Sequence, residues 1–338
     1  MKPHLKKKIE SLMMGRETTG FCLLGYFLHL ASIFYGGAVR LRVSLFDRRI
    51  FKSRKLPCMV ISIGNLTLGG TGKTPMTIYT ADLVQRLGYR PAVVSRGYRG
   101  RREKKGGIVS DGCNILLTAE DAGDEAFMMA RKLKNIPVLI GRDRFRSGME
   151  AVNRFSADVI ILDDGFQHLQ LKRDIDLVLL DDTNPLGNGY LFPRGVLREP
   201  VSALKRADAC ILTRCRPGNA MPPELGRGPF FSTCHNPYLA RVIPAGSDSA
   251  NDDNAAGPGL ELIRGHRAVA FSGIAGNDEF CRMLETMGCD VAGFAGFPDH
   301  HWYTPGDFEN LMTEIRKSNA DMLITTDKDY ARIHGRIR

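Results

Sequence analysis

The chain has 338 residues, of which 43% are hydrophobic and 25% are charged, and this balance excludes a disordered or fibrous protein. The formal net charge is +10, but residues 1–55 alone hold twelve Lys or Arg against three Asp or Glu. A nucleic-acid enzyme would more often spread its positive charge around a groove, so nucleic acid is not expected as a partner. The eight cysteines include no Cys-x-x-Cys pair, which argues against a zinc finger or a disulfide scaffold and favours reduced thiols.

The first predicted element is the uncharged segment 20–39, which lies between two basic clusters. Its length approaches the roughly 20 residues that span a bilayer. A central His29, several glycines and basic residues on both sides favour instead a helix that lies in the membrane interface, with its basic flanks on anionic headgroups. A plain span, a signal peptide and a helix packed on the protein's own core are the alternatives.

From residue 56 onward, short apolar runs alternate with helical patterns. Strands are predicted over 58–64, 91–95, 136–141, 158–162 and 175–181, and helices over 73–87, 122–134 and 143–154. Runs this apolar are typical of a parallel sheet that is covered on both faces. The alternation therefore predicts a doubly wound, mostly parallel α/β fold.

A polar, glycine-rich segment over 245–261 reads as a loop or linker. After it, strands are predicted over 267–274, 290–295 and 321–326, and helices over 277–287 and 305–317. These elements predict a second, smaller α/β lobe. The expected organisation is a basic membrane-associated helical segment over 1–55, a core over 56–240 and a C-terminal lobe over 241–338.

A glycine-rich loop with a Lys-Thr pair directly follows the first strand of the core. The predicted nucleotide-binding residues are Thr67, Gly69, Gly70, Thr71, Gly72, Lys73 and Thr74. In such a P-loop, backbone N–H groups surround phosphate oxygens, the lysine reaches the β- and γ-phosphates, and the Thr hydroxyl binds Mg²⁺. The usual motif would have glycine where this chain has Thr67, so a glycine-rich turn that binds nothing is the alternative.

Asp163 and Asp164 follow the apolar run 159–162, where the acidic partner of a P-loop is expected. One of them should hold Mg²⁺, directly or through water. Consecutive strand residues face opposite ways, so the two acids should not do the same job. Acids at strand ends also serve as helix caps, which is the structural alternative.

Several segments together resemble the tetraacyldisaccharide 4'-kinase family, the lipid A 4'-kinases of Gram-negative bacteria. They are GNLT (64–67), GGTGKTP (69–75), SRGY (95–98), GDE (123–125), DDGFQH (163–168), RD (173–174), PRG (193–195), LREP (197–200), SGI (272–274), PDH (298–300) and TDKD (326–329). Thr67 is itself typical of this family. The resemblance runs from about residue 10 to the end of the chain.

The resemblance implies an enzyme that transfers the γ-phosphoryl group of ATP, with Mg²⁺, to the 4'-hydroxyl of a tetraacylated glucosamine disaccharide 1-phosphate. It implies a peripheral or monotopic protein at the cytoplasmic face of the bacterial inner membrane. The expected partners are the lipid substrate and an anionic membrane surface, and no obligate protein partner is evident.

The resemblance also suggests residue roles. It makes Asp124 the catalytic base and His300 its partner, and a nearby pair of this kind would tune the proton affinity of the carboxylate. Taken singly, an Asp at a helix start is more often a cap and a lone His more often structural. His301 is adjacent, and the resemblance alone selects His300.

Cationic side chains should surround the transferred phosphoryl group, and the resemblance points to Arg144 and Arg198 beside Lys73. Surface salt bridges are the alternative for both arginines. The remaining candidates are Glu125 as a further Mg²⁺ ligand, and Asn65, Gln167, His168 and Glu199 as residues that contact substrate or support those that do.

Two other functions compete with the lipid kinase. A membrane-anchored P-loop ATPase or switch would use the loop and the acid pair but would not need Asp124 or His300. A soluble P-loop kinase for a small metabolite would have no use for segment 20–39.

Overall fold

The computed structural model describes residues 13, 23–215, 228–234, 236–240, 242–243, 259–274, 276–299 and 301–333. The chain divides into two compact units, Met1–His235 and Asn236–Arg338. The expected boundaries at residues 55 and 240 stay predictions. Most of the predicted linker, residues 245–258, lies outside the described residues.

The first unit is built on one sheet. Its strands are β1 (Met59–Asn65), β2 (Pro91–Ser95), β3 (Gly107–Ser110), β4 (Val138–Ile140), β5 (Val159–Asp163), β6 (Ile175–Asp181), β7 (Ala209–Thr213) and β8 (Phe230–Ser232). The order across the sheet is β3-β4-β2-β5-β1-β6-β7-β8. Every neighbouring pair is parallel except β3 with β4. The predicted doubly wound, mostly parallel α/β fold is therefore confirmed.

Five α-helices accompany this sheet in the described residues of the first unit. They are α1 (Leu23–Asp47), α2 (Lys73–Arg86), α3 (Ala119–Ala122), α4 (Asp124–Lys132) and α5 (Arg144–Phe155), and a 3₁₀ turn covers Val201–Arg206. The alternation of side chains along a strand explains why both faces of the sheet are apolar. Ile61 and Ile63 of β1 are buried in one apolar cluster and Val60 in another. Each such buried side chain contributes about 1.5–3 kcal/mol of transfer free energy.

Two predicted helices differ from the observed ones. The predicted helix 122–134 is interrupted at Gly123, which has φ 84° and separates α3 from α4. A Cβ on Gly123 would lie 2.6 Å from the carbonyl oxygen of Tyr98, so the break allows a close approach of two backbones. Helix α1 extends to Asp47, well past the apolar segment 20–39. Among the helices of the described residues, none combines the length and the apolarity needed to cross a membrane.

The second unit has its own small parallel sheet. Its elements are β9 (Arg267–Ser272), α6 (Asn277–Thr286), β10 (Asp290–Gly296), α7 (Pro305–Ser318), β11 (Met322–Thr325) and α8 (Asp327–Ile333), with strand order β10-β9-β11. Helix α7 starts with a capping box in which Thr304 and Asp307 satisfy each other's backbone N–H groups. The predicted smaller α/β lobe is observed in this unit.

Candidate active site

The phosphate loop joins the end of β1, a central strand, to the start of α2. Gly69 has φ 112° and Gly72 has φ 81°, conformations that glycine adopts without strain. A Cβ on Gly69 or Gly70 would meet no atom within 4 Å, so this part of the loop is open to an incoming group. Together with the positive N-terminal end of α2, such a loop suits a phosphate.

Contacts from the neighbouring strands hold this loop. The Thr213 hydroxyl donates to the Thr71 carbonyl at 3.1 Å, and Arg214 Nη2 donates to the Gly70 carbonyl at 3.1 Å. Arg214 is in turn paired with Asp181 at the end of β6, at 2.6 Å. The loop is thus fixed through its carbonyl oxygens, an arrangement that leaves N–H groups for a ligand.

Asp163, the last residue of β5, is 2% exposed. Its carboxylate accepts hydrogen bonds from the Ser95 hydroxyl at 3.0 Å and the Thr77 hydroxyl at 3.3 Å. Burial raises the pKa of Asp163 well above its ordinary value, and the nearby charges of Glu125 and Asp164 raise it further. A second cation besides Lys73 would relieve this crowding of negative charge.

Asp164 directly follows the end of β5 and faces different partners. It adopts φ 52°, and both carboxylate oxygens lie 3.0 Å from Arg198 Nη1. Lys73 Nζ is 3.7 Å from one of them. Burial raises the pKa of Asp164, but Lys73 and Arg198 outweigh it and hold the pKa below the usual value, so this carboxylate is ionised.

These residues fit a Mg²⁺ ion. Mg²⁺ prefers oxygen ligands and usually takes only one or two carboxylates, with substrate phosphates and water completing its shell. The crowded carboxylates of Asp163, Asp164 and Glu125 supply such oxygens, and Thr74 stands in the first turn of α2. In the described part of the chain, no three or more His, Cys, Asp or Glu side chains are grouped so that they could hold a metal ion by themselves.

Arg198 and Gln167 connect the acid pair to the strand that leads into the loop. Arg198 Nη1 lies 3.5 Å from Gln167 Oε1, and Gln167 Nε2 donates to the Asn65 carbonyl at 2.9 Å. The side-chain amide of Asn65 is fully buried, and neither it nor the Thr71 hydroxyl has a hydrogen-bond partner in the structure described. Buried polar groups normally have partners, so these two are groups that a bound ligand would complete.

Arg144 begins α5 and is 4% exposed. Its Nη1 donates to the Gly141 carbonyl at 2.9 Å. Burial lowers its pKa, whereas the negative charges of Asp163 and Asp164 raise it. The guanidinium thus lies within electrostatic reach of the acid pair and is not a surface salt bridge.

Asp124 is the buried first residue of α4, and Glu125 beside it acts electrostatically on Asp163. His300 lies outside the described residues, so the Asp124–His300 pair stays a prediction. The adjacent His301 has structural partners, because its Nε2 lies 3.0 Å from Asp307 and its ring stacks on Phe297 at 4.7 Å.

The family model described as tetraacyldisaccharide-1-P 4'-kinase (LpxK) matches residues 24–338. The chain belongs to this family. It is similar to the tetraacyldisaccharide 4'-kinase of Desulfatibacillum aliphaticivorans, with 41% identity over 333 residues that cover 98% of this chain and 90% of that protein. The enzyme of the same name from Syntrophus aciditrophicus is 41% identical over 333 residues, which cover 94% of this chain and 86% of that protein.

The fold agrees with this family. The crystal structure of LpxK from Aquifex aeolicus in complex with ATP matches with a TM-score of 0.75 and 33% identity, and covers 92% of this chain and 91% of that one. The resemblance predicted from the sequence is therefore confirmed, and with it the assignment of the chain to a family of kinases.

Some of the segments that resemble the family form ion pairs and hydrogen bonds beside the site residues. Arg173 forms a bidentate pair with Asp176 and donates to the His168 carbonyl, while Asp174 accepts from the Val60 N–H at 2.8 Å. Glu199 is buried and paired with Arg206 at 2.8 Å. Burial, together with the charges of neighbouring arginines, lowers the pKa of His168 to about 4, so this imidazole is neutral near pH 7.

The structure adds residues to which no role was assigned from the sequence. Ser95 and Thr77 hold Asp163, and Thr213 and Arg214 hold the phosphate loop. Ser95 ends a predicted strand that neighbours β5, and Thr77 lies in α2, two residues after the GGTGKTP segment. Thr213 and Arg214 lie far from the motifs in sequence and reach the loop only through the fold.

Proposed function

We propose that this kinase transfers the γ-phosphoryl group of ATP to the 4'-hydroxyl of a tetraacylated glucosamine disaccharide 1-phosphate. The observation that carries the proposal is the convergence of the phosphate loop, Asp163, Asp164 and Arg198 where β1 and β5 end. This assembly occurs in a chain whose family and relatives are named for that reaction. Family membership favours the kinase over a P-loop switch, which would need no acceptor site.

Phosphoryl transfer depends on positioning and on charge stabilisation. Lys73 and Arg198 place positive charge beside Asp164, and Arg144 is within electrostatic reach. Thr74, Asp163, Asp164 and Glu125 would hold Mg²⁺, which when bound neutralises charge on the β- and γ-phosphate oxygens. Asn65, Gln167, His168 and Glu199 support these groups or contact substrate.

A sugar hydroxyl is a poor nucleophile near neutral pH, so a base beside it accelerates the attack. We assign this role to Asp124, which is buried next to Glu125 at the start of α4. His300 would orient the carboxylate and tune its proton affinity. Both assignments rest on the family resemblance.

A four-chain lipid cannot leave a bilayer cheaply, so its kinase must work at the membrane surface. Helix α1 exposes a series of large apolar side chains, of which Phe34 is 77% exposed. The others are Leu23, Tyr26, Phe27, Leu30, Ile33 and Leu41. With the basic residues that follow, this surface suits the interface of an anionic membrane, at the cytoplasmic face where ATP is available.

The test is transfer of labelled phosphate from ATP to tetraacyldisaccharide 1-phosphate in detergent micelles. Wild type should transfer phosphate, and Lys73→Ala and Asp124→Ala should each lose at least about a hundredfold in kcat. Lys104→Ala, at an exposed site outside the loop, is the control and should match wild type. Absence of transfer by folded wild type that binds ATP would reject the lipid kinase in favour of the switch.

Membrane contact is tested by flotation with anionic vesicles. Replacing both Phe27 and Phe34 with Ser should sharply reduce the bound fraction, because each loses exposed apolar area that would enter the interface. Tyr79→Ser, at a 57% exposed aromatic side chain of α2, is the matched control and should bind like wild type. Equal binding by the double variant would contradict the role of α1.

A further inference from the structure

Helix α1 donates two long-range hydrogen bonds to segments of the catalytic site. The Tyr35 hydroxyl donates to the main-chain carbonyl of Arg198 at 2.9 Å. Arg42 Nη2 donates to the main-chain carbonyl of Gln167 at 3.0 Å. Tyr35 and Arg42 are seven residues apart, about two helical turns, so they share one face of α1.

One acceptor residue, Arg198, pairs with Asp164 through its side chain, and the other, Gln167, contacts that side chain. Arg198 pairs with both carboxylate oxygens of Asp164, and Gln167 Oε1 lies near the same guanidinium nitrogen. A displacement of either backbone would therefore move the partners of an acid that we place at the Mg²⁺ site.

The same two residues are anchored on their other side by the strand that leads into the phosphate loop. The Arg198 N–H donates to the Leu66 carbonyl at 2.8 Å, and Gln167 Nε2 donates to the Asn65 carbonyl at 2.9 Å. Arg198 and Gln167 are thus clamped between β1 with its extension and helix α1. The anchor on α1 belongs to the helix that exposes large apolar side chains such as Phe34.

The first donor, Tyr35, is held in place by its surroundings and is suited to a positioning role. The Tyr35 ring is half-buried and lies 5.8 Å from the Phe192 ring in an edge-on contact. Burial and the nearby Glu199 raise the pKa of Tyr35, so the hydroxyl keeps its proton. Gly36 allows the close approach, since a Cβ there would lie 2.7 Å from a methyl group of Leu191. Side chain and helix are therefore fixed against the segment that carries Arg198.

We propose that Tyr35 and Arg42 are positioning residues for phosphoryl transfer, which set the geometry of Arg198 and Gln167 around Asp164 through their main-chain carbonyls. The inference rests on the proposed function for the reaction that it serves. If so, the rate of phosphoryl transfer depends on the position of α1 against Arg198 and Gln167, and the helix does more than attach the enzyme to lipid.

The kinetic test compares Tyr35→Phe and Arg42→Lys with Tyr79→Phe and Arg86→Lys, which make the same changes at exposed positions of α2. The Tyr35 and Arg42 variants should each lower kcat roughly five- to tenfold, the effect of one hydrogen bond, with KM for ATP within about twofold of wild type. The control variants should keep the wild-type kcat. Wild-type kcat in both Tyr35→Phe and Arg42→Lys would overturn the proposal.

A double-mutant cycle separates positioning from a general structural effect. In an Arg198→Lys background, Tyr35→Phe should reduce kcat by less than about twofold further, because both changes disturb the same contact. Independent, multiplicative losses would show that the hydroxyl does not act through Arg198, and would overturn the proposal.

Hydrogen exchange tests the coupling without relying on activity. Peptides that span 163–168 and 196–200 should exchange at least about threefold faster in Tyr35→Phe than in wild type and Tyr79→Phe, because the hydrogen bond to Arg198 is lost. Unchanged exchange would overturn the proposal even if the enzyme is active. Failure of wild type to transfer phosphate would reject the proposed function, while the exchange experiment would still decide the coupling.

Discussion

Two acids that follow parallel strands lie in segments that resemble the family but have opposite environments. Asp164 comes directly after β5 in the first unit, and Asp329 lies in the first turn of α8 in the second. Asp329 is fully buried and accepts hydrogen bonds from three donors, the Thr326 hydroxyl at 2.6 Å, the Gly273 N–H at 3.1 Å and the Arg332 guanidinium at 2.8 Å. Its own N–H donates to the Thr326 hydroxyl. Asp164 is partly exposed, adopts φ 52° and faces two cations, Lys73 and Arg198.

The difference distinguishes structural from ligand-binding acids. Arg332 completes the second network by donating to the Gly273 carbonyl at 3.0 Å, so this cluster ties the end of β9 to α8. Asp164 instead lies at a partly exposed edge beside Lys73 and Arg198, and Asn65 and Thr71 have buried polar atoms without hydrogen-bond partners in the region described. We infer that the surroundings of Asp164 are arranged to bind a ligand, and that the network around Asp329 stabilises the second unit.

The largest effect is expected from Asp163→Asn. The Ser95 and Thr77 hydroxyls donate to different oxygens of Asp163. In the variant, the amide oxygen can accept from one hydroxyl and the amide NH2 can donate to the other, so folding should change little. The loss of a Mg²⁺ ligand should reduce kcat by about a thousandfold, or roughly 4 kcal/mol. Steady-state transfer and thermal unfolding measure the two quantities. Asp82→Asn, a partly exposed acid of α2, is the control, and more than a tenth of wild-type kcat in Asp163→Asn would refute its role.

The next largest effect concerns stability. Arg332→Met leaves the fully buried Asp329 carboxylate without its cation, which should cost about 3 kcal/mol or more of unfolding free energy in the second unit. The chain has a single tryptophan, Trp302 in that unit, so its fluorescence in urea reports this transition. Arg316→Met at an exposed position of α7 should change the midpoint little, and an unshifted midpoint in Arg332→Met would disprove the structural role.

A smaller effect is expected where the phosphate loop is supported from β7. Arg214→Met removes the donor to the Gly70 carbonyl, so the loop should lose preorganisation, and KM for ATP should rise about tenfold with little change in kcat. Arg214→Lys keeps the positive charge near Asp181, so its KM for ATP should lie between the values of wild type and Arg214→Met. An unchanged KM for ATP in Arg214→Met would exclude Arg214 as a support for the loop.

The smallest effect is expected in the pH dependence of the stability of the second unit. Burial raises the pKa of Asp307, but hydrogen bonds from Thr304 and His301 outweigh it and lower the pKa below its usual value. The stabilisation is therefore present above the unfolded pKa of about 4 and is lost as pH falls through the lower folded pKa. Asp307→Asn should cost about 1 kcal/mol at pH 7, and urea titrations should show this difference from wild type shrinking as the pH falls below about 4. A difference that stays constant as the pH falls through that range would contradict this assignment.

Much of the fold follows from local patterns in the sequence. The apolar runs that became β1, β2, β5 and β6 are short, continuous and separated by helical periodicity, and these properties determine a parallel sheet. The break at Gly123 was missed because it depends on contact with the backbone of Tyr98, which lies 25 residues earlier in the chain.

The site was predictable only in part, for the same reason. The phosphate loop and the Asp163–Asp164 pair have local signatures, and the resemblance added Arg198 and Gln167. The donors to these residues are distant, since Tyr35 lies 163 positions from Arg198 and Arg42 lies 125 from Gln167. No periodicity or spacing relates such pairs, because only the folded backbone brings them together.

The most direct test of the contrast between the two acids is a paired measurement on Asp164→Asn and Asp329→Asn. Each variant is assayed for kcat with the lipid acceptor, and for unfolding by circular dichroism and Trp302 fluorescence. We expect Asp164→Asn to lose at least about a hundredfold in kcat with a nearly unchanged unfolding midpoint, and Asp329→Asn to unfold at markedly lower urea while its folded fraction keeps most of its kcat. The contrary result, a stable Asp329→Asn that has lost transfer or a fully active Asp164→Asn, would show that the number of protein partners does not tell a structural acid from a ligand-binding one here.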